Sequence, residues 1–300
     1  MASTETTPLL DKSQGPSSAD VGAGLDALDA VVTTRTPLLV TLRQKALPPV
    51  IAIALVLAVW QAAFSLELTD SYKLPSPGMV WDALADLWGQ GTLFSIIWTS
   101  LWRGLSGFVA AVIIGTPIGL LVAQLKPVRA AIGPILSGLQ SLPSVAWVPA
   151  AVIWLGVNNS TMYAVILLGA VPSVANGLVA GIDQVPPILL RAGRTMGASG
   201  LVQARHILLP GALPGYLAGL KQGWAFSWRS LMAAELIAAS PELGIGLGRY
   251  LENQREFADM SGVLLGIILI LIVGVAIDLL FFSPLERRVL RNRGLLHGAR

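Results

Sequence analysis

Three hundred residues that are 54% hydrophobic and only 12% charged, with a mean hydropathy of +0.70, exclude an ordinary soluble domain, where charged residues run near ~25%. The net charge of +3 is small, and the absence of cysteine excludes disulfides, thiol catalysis and cysteine metal sites. The apolar residues come in runs of about 20, enough to cross the hydrocarbon as helices, and no alternating barrel strands are seen, so the expected class is all-α: a polytopic membrane protein of about six transmembrane helices.

Met1 to Asp20 is rich in Ser, Thr, Gly, Pro and acids. It reads as a disordered tail, without the basic start and apolar core of a signal peptide. Residues 24–32 suit a short helix. Residues 1–44 form a cytoplasmic N-terminal segment, 45–285 the membrane domain and 286–300 a basic tail. Spans are expected near 47–66, 93–125, 130–155, 161–182, 212–239 and 261–282. Leu74-Pro75-Ser76-Pro77 is a stiffened turn, followed by an amphipathic helix from Met79 to Trp88. Trp81, Trp88, Trp98 and Trp102 suit an interfacial belt. Gly115-Thr116-Pro117-Ile118-Gly119 is a small-residue contact motif with a kinking proline, and Gly177 and Gly181 form a second small pair. The third span holds Gly133-Pro134, Ser141-Leu142-Pro143-Ser144 and Pro149, breaks tolerated where protein or a cavity covers the backbone.

The stretch Pro186–Pro210 lies between two apolar regions yet carries Arg191, Arg194, Arg205 and His206. Ile188, Leu189, Ala192 and Met196 fall on one stripe at spacings of three and four, which predicts a helix over 188–196. Gly197 suits its end and a sharp turn. A second short helix, roughly Leu201 to Leu208, then runs to Pro210. With the N-terminus inside, the short inner loops hold Lys126, Arg129, Arg191, Arg194 and Arg205, and the outer loops only Lys73, Arg249 and Arg255. The positive-inside rule therefore puts both termini and the 186–210 hairpin in the cytoplasm.

Arg191-Ala192-Gly193, Gly197, Ile207, Leu209 and Pro210 keep the spacing Glu-Ala-Ala, three residues, Gly, nine residues, Ile, any residue, Leu-Pro. This resembles the cytoplasmic loop of ABC-importer permeases, with Arg191 in place of Glu and Gly193 in place of the second Ala. Ser100-Leu101-Trp102-Arg103, Pro143-Ser144-Val145-Ala146-Trp147-Val148-Pro149, Ile153-Trp154-Leu155-Gly156 and Ala233-Ala234-Glu235 extend the resemblance over about 45–285. It points to permeases for aliphatic sulfonates, taurine, nitrate or bicarbonate, with the aliphatic sulfonate branch nearest. The resemblance implies a type I ABC-importer permease fold in the plasma (inner) membrane of a prokaryote. It also implies a homodimer with two ATPase subunits and an extracytoplasmic solute-binding protein, and no nucleic acid. Leu190, Arg191, Ala192, Gly193, Arg194, Gly197, Ile207, Leu209 and Pro210 become coupling contacts to the ATPase. The chain has no G-x-x-x-x-G-K-[ST] phosphate loop, so ATP and Mg fall to the partner and no cofactor is expected here. Without the resemblance, the stretch reads as a basic cytoplasmic loop.

Charges inside spans face a cavity or a partner. Arg103, Arg229 and Glu235 are candidates for lining an anion pathway, or for a structural ion pair. Gln140, Ser141 and Ser144 surround a helix break whose free donors can meet an anion. Asp278 suits a helix-end or dimer contact, and Trp224 and Trp228, four apart, suit packing over substrate contact. His206 and His297 are too few and too far apart for a metal site. The expected function is transport of a small oxyanion, an aliphatic sulfonate first, with nitrate, taurine or bicarbonate as alternatives. An ion-coupled secondary transporter and a non-transporting scaffold are the readings from other classes.

Overall fold

The computed structural model describes residues 38–67, 69–70, 72–238, 240 and 243–293. The expected tail over 1–20, the helix at 24–32 and the end of the basic tail lie outside the described residues. All regular elements among the described residues are helical. Contacts divide the chain at Val59–Trp60. The first unit holds most of α1, Leu38–Ser65, which starts earlier than the expected span and carries Pro48 and Pro49 inside it. Its residues 47–59 are exposed.

The second unit starts at Trp60 with the end of α1 and continues with α2, Pro77–Gly89. Ser76 caps it by accepting from the Met79 N–H at 3.2 Å, and Pro77 opens the first turn. α3 spans Leu93–Gln124, α4 Lys126–Ser141, α5 Val148–Leu155 and α6 Asn159–Asp183. α6 is the centre: 61% of its apolar window is buried, against 33% for α3 and 17% for the last span. It packs on α3 on one side and on α9, Leu209–Ile237, on another.

These helices touch through glycine because lipid supplies no hydrophobic drive for association, so close backbone approach must. A Cβ on Gly177 of α6 would lie 2.3 Å from the Gly219 Cα of α9, and one on Gly215 would lie 2.6 Å from the Gly181 Cα. On the α3 side, a Cβ on Gly119 would lie 2.8 Å from the Ala175 carbonyl oxygen. Both small-residue motifs read from the sequence are therefore helix contacts. Gly138 of α4, by contrast, has nothing within 4 Å.

The segment expected as a third span is a bent pair. α4 ends at Ser141, Leu142 and Pro143 leave the helix, a 3₁₀ turn covers Ser144–Trp147, and α5 follows at 99°. By length and composition, four described helices are apolar enough to cross a membrane, and the bent pair makes a fifth. The segment expected near 212–239 folds as the long α9, but Lys221, Arg229 and Glu235 dilute its apolarity. α10 runs Leu247–Glu256, α11 Met260–Ile277 and α12 Ser283–Asn292. Two π turns, Ala204–Leu208 and Asp278–Phe282, each end two residues before a proline, Pro210 and Pro284. Proline donates no N–H and crowds the carbonyl four residues back, so the ladder widens by one residue and the helix continues. The second hairpin helix therefore does not stop at Pro210 but runs through it into α9.

Candidate functional site

The hairpin has two short arms. α7 spans Pro187–Thr195, opened by Pro187. Its end is a left-handed glycine cap: Gly197 has φ 83°, and the Ala198 N–H donates to the Gly193 carbonyl at 2.9 Å. The returning arm, α8 over Gly200–Gln203 and then the π turn, lays Ile207 over Gly193. A Cβ at 193 would meet the Ile207 Cδ1 at 2.0 Å, so alanine there requires the Ile207 tip to rotate. Gly193, Ala204 and Leu208 are buried. The inner side of the hairpin rests on Leu178, Ile182, Val185 and Ala212, with Leu190 and Leu209 half-buried beside them.

The outer side is the predicted stripe. Ile188 is 61% exposed, Leu189 47% and Met196 79%, with Val202 of the second arm at 54%. Arg191, Ala192, Arg194, Gly197 and Pro210 are exposed as well. These apolar side chains stand exposed among arginines on one side of the hairpin. His206 is exposed and shares a hydrogen bond with the Val202 carbonyl. Arg293, just past α12, donates to the Pro210 carbonyl and ties the exit of the hairpin.

The intramembrane candidates separate into two groups. Arg103 and Glu235 are partners: Nη1 lies 3.1 Å from Oε1, with side chains 8% and 1% exposed. The guanidinium also donates to Asn159 Oδ1 at 3.1 Å and to the Leu243 carbonyl. The carboxylate accepts from Ser100 Oγ at 2.7 Å and from the Gly248 N–H at 3.0 Å, while Ser100 accepts from the Leu247 N–H. This network staples α3, the start of α6, the end of α9 and the loop into α10. Of the two readings open for Arg103 and Glu235, the geometry is that of the structural ion pair. A Cβ on Gly246 would lie 2.4 Å from Glu235 Oε1, so the carboxylate occupies the space where a side chain would be.

The second group lies at the break of the bent pair. Gln140 Nε2 donates to Ser173 Oγ at 3.0 Å, and Asn176 Nδ2 donates to Gln140 Oε1 at 2.9 Å. Ser141 is exposed and bonds back to the Gly138 carbonyl. Ser144 faces Gly169, which also abuts Ser230. The Ser230 hydroxyl is buried with no partner among the described residues. Arg229 is exposed, stacked over Phe226 at 4.7 Å. Trp224 and Trp228 are buried and stacked on each other, and the Trp228 indole donates to the Ile270 carbonyl at 3.2 Å, which is packing. Asp278 Oδ1 lies 3.0 Å from Lys221 Nζ.

At the far end of α3 a cavity of about 620 Å³ opens between α2, α3 and α10, lined among others by Asp86, Thr92, Ser95, Tyr250, Asn253 and Asp259. Nearby Glu252 is already paired with Arg255, which holds its carboxyl below the usual range. Ser95 in the cavity and Leu120 beside the hairpin cluster stand roughly 25 helical residues apart, about 37 Å at 1.5 Å per residue, a little more than the hydrocarbon thickness.

Sequence reading missed Ser100, Asn159, Gly248 and Arg293, whose roles depend on partners far away in the chain. The spacing Gly244-x-Gly246-x-Gly248 is the one local signal from which a close approach there could have been read.

A family model described as binding-protein-dependent transport system inner membrane component matches residues 115–291. The taurine transport system permease protein of Escherichia coli is 34% identical over 79% of this chain and 86% of that protein. A putative aliphatic sulfonates transport permease protein of Bacillus subtilis is 29% identical, covering 82% of this chain and 87% of that one. The nitrate import permease protein of Synechocystis is 29% identical, over 81% and 90%. Among solved structures, an inward-facing methionine ABC transporter matches with a TM-score of 0.57 at 20% identity, over 71% of this chain and 99% of that chain, which shows a common fold.

Proposed function

We propose, because this chain belongs to the family of binding-protein-dependent transport system inner membrane components, that it is the membrane-spanning subunit of an ATP-driven importer whose solute is a small oxyanion, with sulfonates as the substrate class. The observation that carries this is the apolar stripe Ile188, Leu189 and Met196 left exposed on a charged hairpin. An amphipathic helix presenting such anchors fits a groove on another protein. Similarity to taurine and aliphatic sulfonate permeases supports the substrate class. The working assembly is a homodimer of this chain with two ATPase subunits inside and a solute receptor outside. ATP closes the ATPases, the docked hairpins move, and the two permease copies switch access. The exposed Arg229 and the Ser144 hydroxyl supply favourable charge and a hydrogen-bond donor along an anion path, while the exposed Ser141 would have to release the Gly138 carbonyl to join them.

Met196→Glu and Ile188→Glu test this reading. Both sites are exposed, so permease stability is expected to stay within about 0.5 kcal/mol. Capture of the ATPase should weaken by about 2 kcal/mol or more, roughly 30-fold, measured by copurification and titration. Unchanged capture with normal taurine uptake would refute docking through this stripe. The chain contains no cysteine, so Ala192→Cys offers a single label site. It is expected to react with an impermeant maleimide only when the inner face is opened; labelling from the outside of intact cells contradicts the orientation.

A further inference from the structure

We infer that α4 and α6 move as one lever, clamped by Arg129 and Asp183, and that Arg129 is a positioning residue carrying hairpin displacement to the helix break at residues 142–143. The inference rests on the importer reading above. Asp183 is the last residue of α6, just before the hairpin begins. Arg129 stands in the first turn of α4. Its guanidinium grips that carboxylate with both arms: Nη1 donates to Oδ1 at 2.9 Å and Nη2 to Oδ2 at 2.6 Å. Such side-on pairs fix orientation as well as distance.

The other end of α4 is tied to the same helix. Gln140 bonds to Ser173 and Asn176 of α6, and Leu136 is buried against Ala175 between the two ties. The ties stand about 16 Å apart along α4, roughly three helical turns. Two ties at that separation block both sliding and pivoting. They also bracket Pro134, the point where α4 would otherwise hinge. The next soft place is the break itself, immediately beyond Gln140. A push on the hairpin enters α6 at Asp183 and therefore arrives at Ser141–Ser144 undiminished.

The pair is 47% and 44% exposed, so it contributes little to stability and can be removed without unfolding the chain. A spin label on Ser141→Cys reports the break in the permease bound to its ATPase. ATP is expected to change label mobility in the wild-type background, and Arg129→Asp is expected to abolish that change while ATPase capture persists. The swapped pair Arg129→Asp with Asp183→Arg should restore it. An equal ATP response in Arg129→Asp, a label silent to ATP in the wild-type background, or a swap as inert as the single variant each overturns the lever. Failure of the wild-type chain to capture any ATPase overturns the importer reading instead, and the lever with it.

Discussion

Valine in place of Gly219 is expected to push α9 off α6 and lower the stability of the membrane domain by about 3 kcal/mol or more, beyond the usual range for overpacking. The reason is what the new side chain would meet. A Cβ at 219 would sit 2.4 Å from the Gly177 Cα, and backbone cannot rotate away as a side chain can. The two central helices would have to separate, and the Gly181–Gly215 contact one turn along would open with them. In a domain of this size that corresponds to a melting shift on the order of 6–12 °C, read by thermal unfolding of the purified protein in detergent. Gly138→Ala is the control. Nothing lies within 4 Å of that position, so relieving a helical glycine is expected to be neutral or slightly stabilising. A Gly219→Val protein that melts with the wild type would mean that α6 and α9 do not cross at this point.

Glu235→Ala is expected to be at least as damaging, by about 3–5 kcal/mol. It leaves the Arg103 guanidinium buried with neutral partners only, Asn159 and the Leu243 carbonyl. It also strips an acceptor from Ser100 and from the Gly248 N–H, freeing the loop into α10. Glu235→Gln keeps the shape and some hydrogen bonds and should fall between. The double variant Arg103→Met with Glu235→Leu separates the cost of an unpaired charge from the worth of the pair. Replacing both partners by apolar residues of similar size is often close to neutral, so the double variant should recover most of the lost stability. Recovery shows that the single variant fails through desolvated charge; a double variant as unstable as the single one shows that the loop depends on the pair itself. If Glu235→Ala melts within about 2 °C of the wild type, less than a 1 kcal/mol change would give, the buried pairing is wrong.

Much of this architecture was legible in the chain because it is local. The stripe of Ile188, Leu189, Ala192 and Met196 follows from helical spacing, and Gly197 from the need for a left-handed cap. Gly115, Gly119, Gly177 and Gly181 announced close helix contacts before any partner was known. What could not be read was long-range or geometric. An ion pair with Glu235 was one of the two readings open for Arg103 and Arg229, but nothing near Arg103 in sequence decides that it, and not Arg229, meets the carboxylate 132 residues away. The breaker Pro143 was visible, but the 99° turn it produces depends on packing against other helices. Pro210 looked like a stop because proline usually ends a helix; a single π turn was enough to carry the helix past it.

That π turn also sets a phase. Widening the ladder by one residue over Ala204–Leu208 rotates everything before it by about 100° around the α9 axis relative to an unbroken α-helix. Straightening this turn into regular α winding with every residue kept would swing the hairpin about a quarter turn, aiming Met196 and Ile188 at a different quadrant, and deleting one residue as well would bring it back. The azimuth at which this subunit offers its docking surface is thus indexed by one surplus residue in the helix that descends from it.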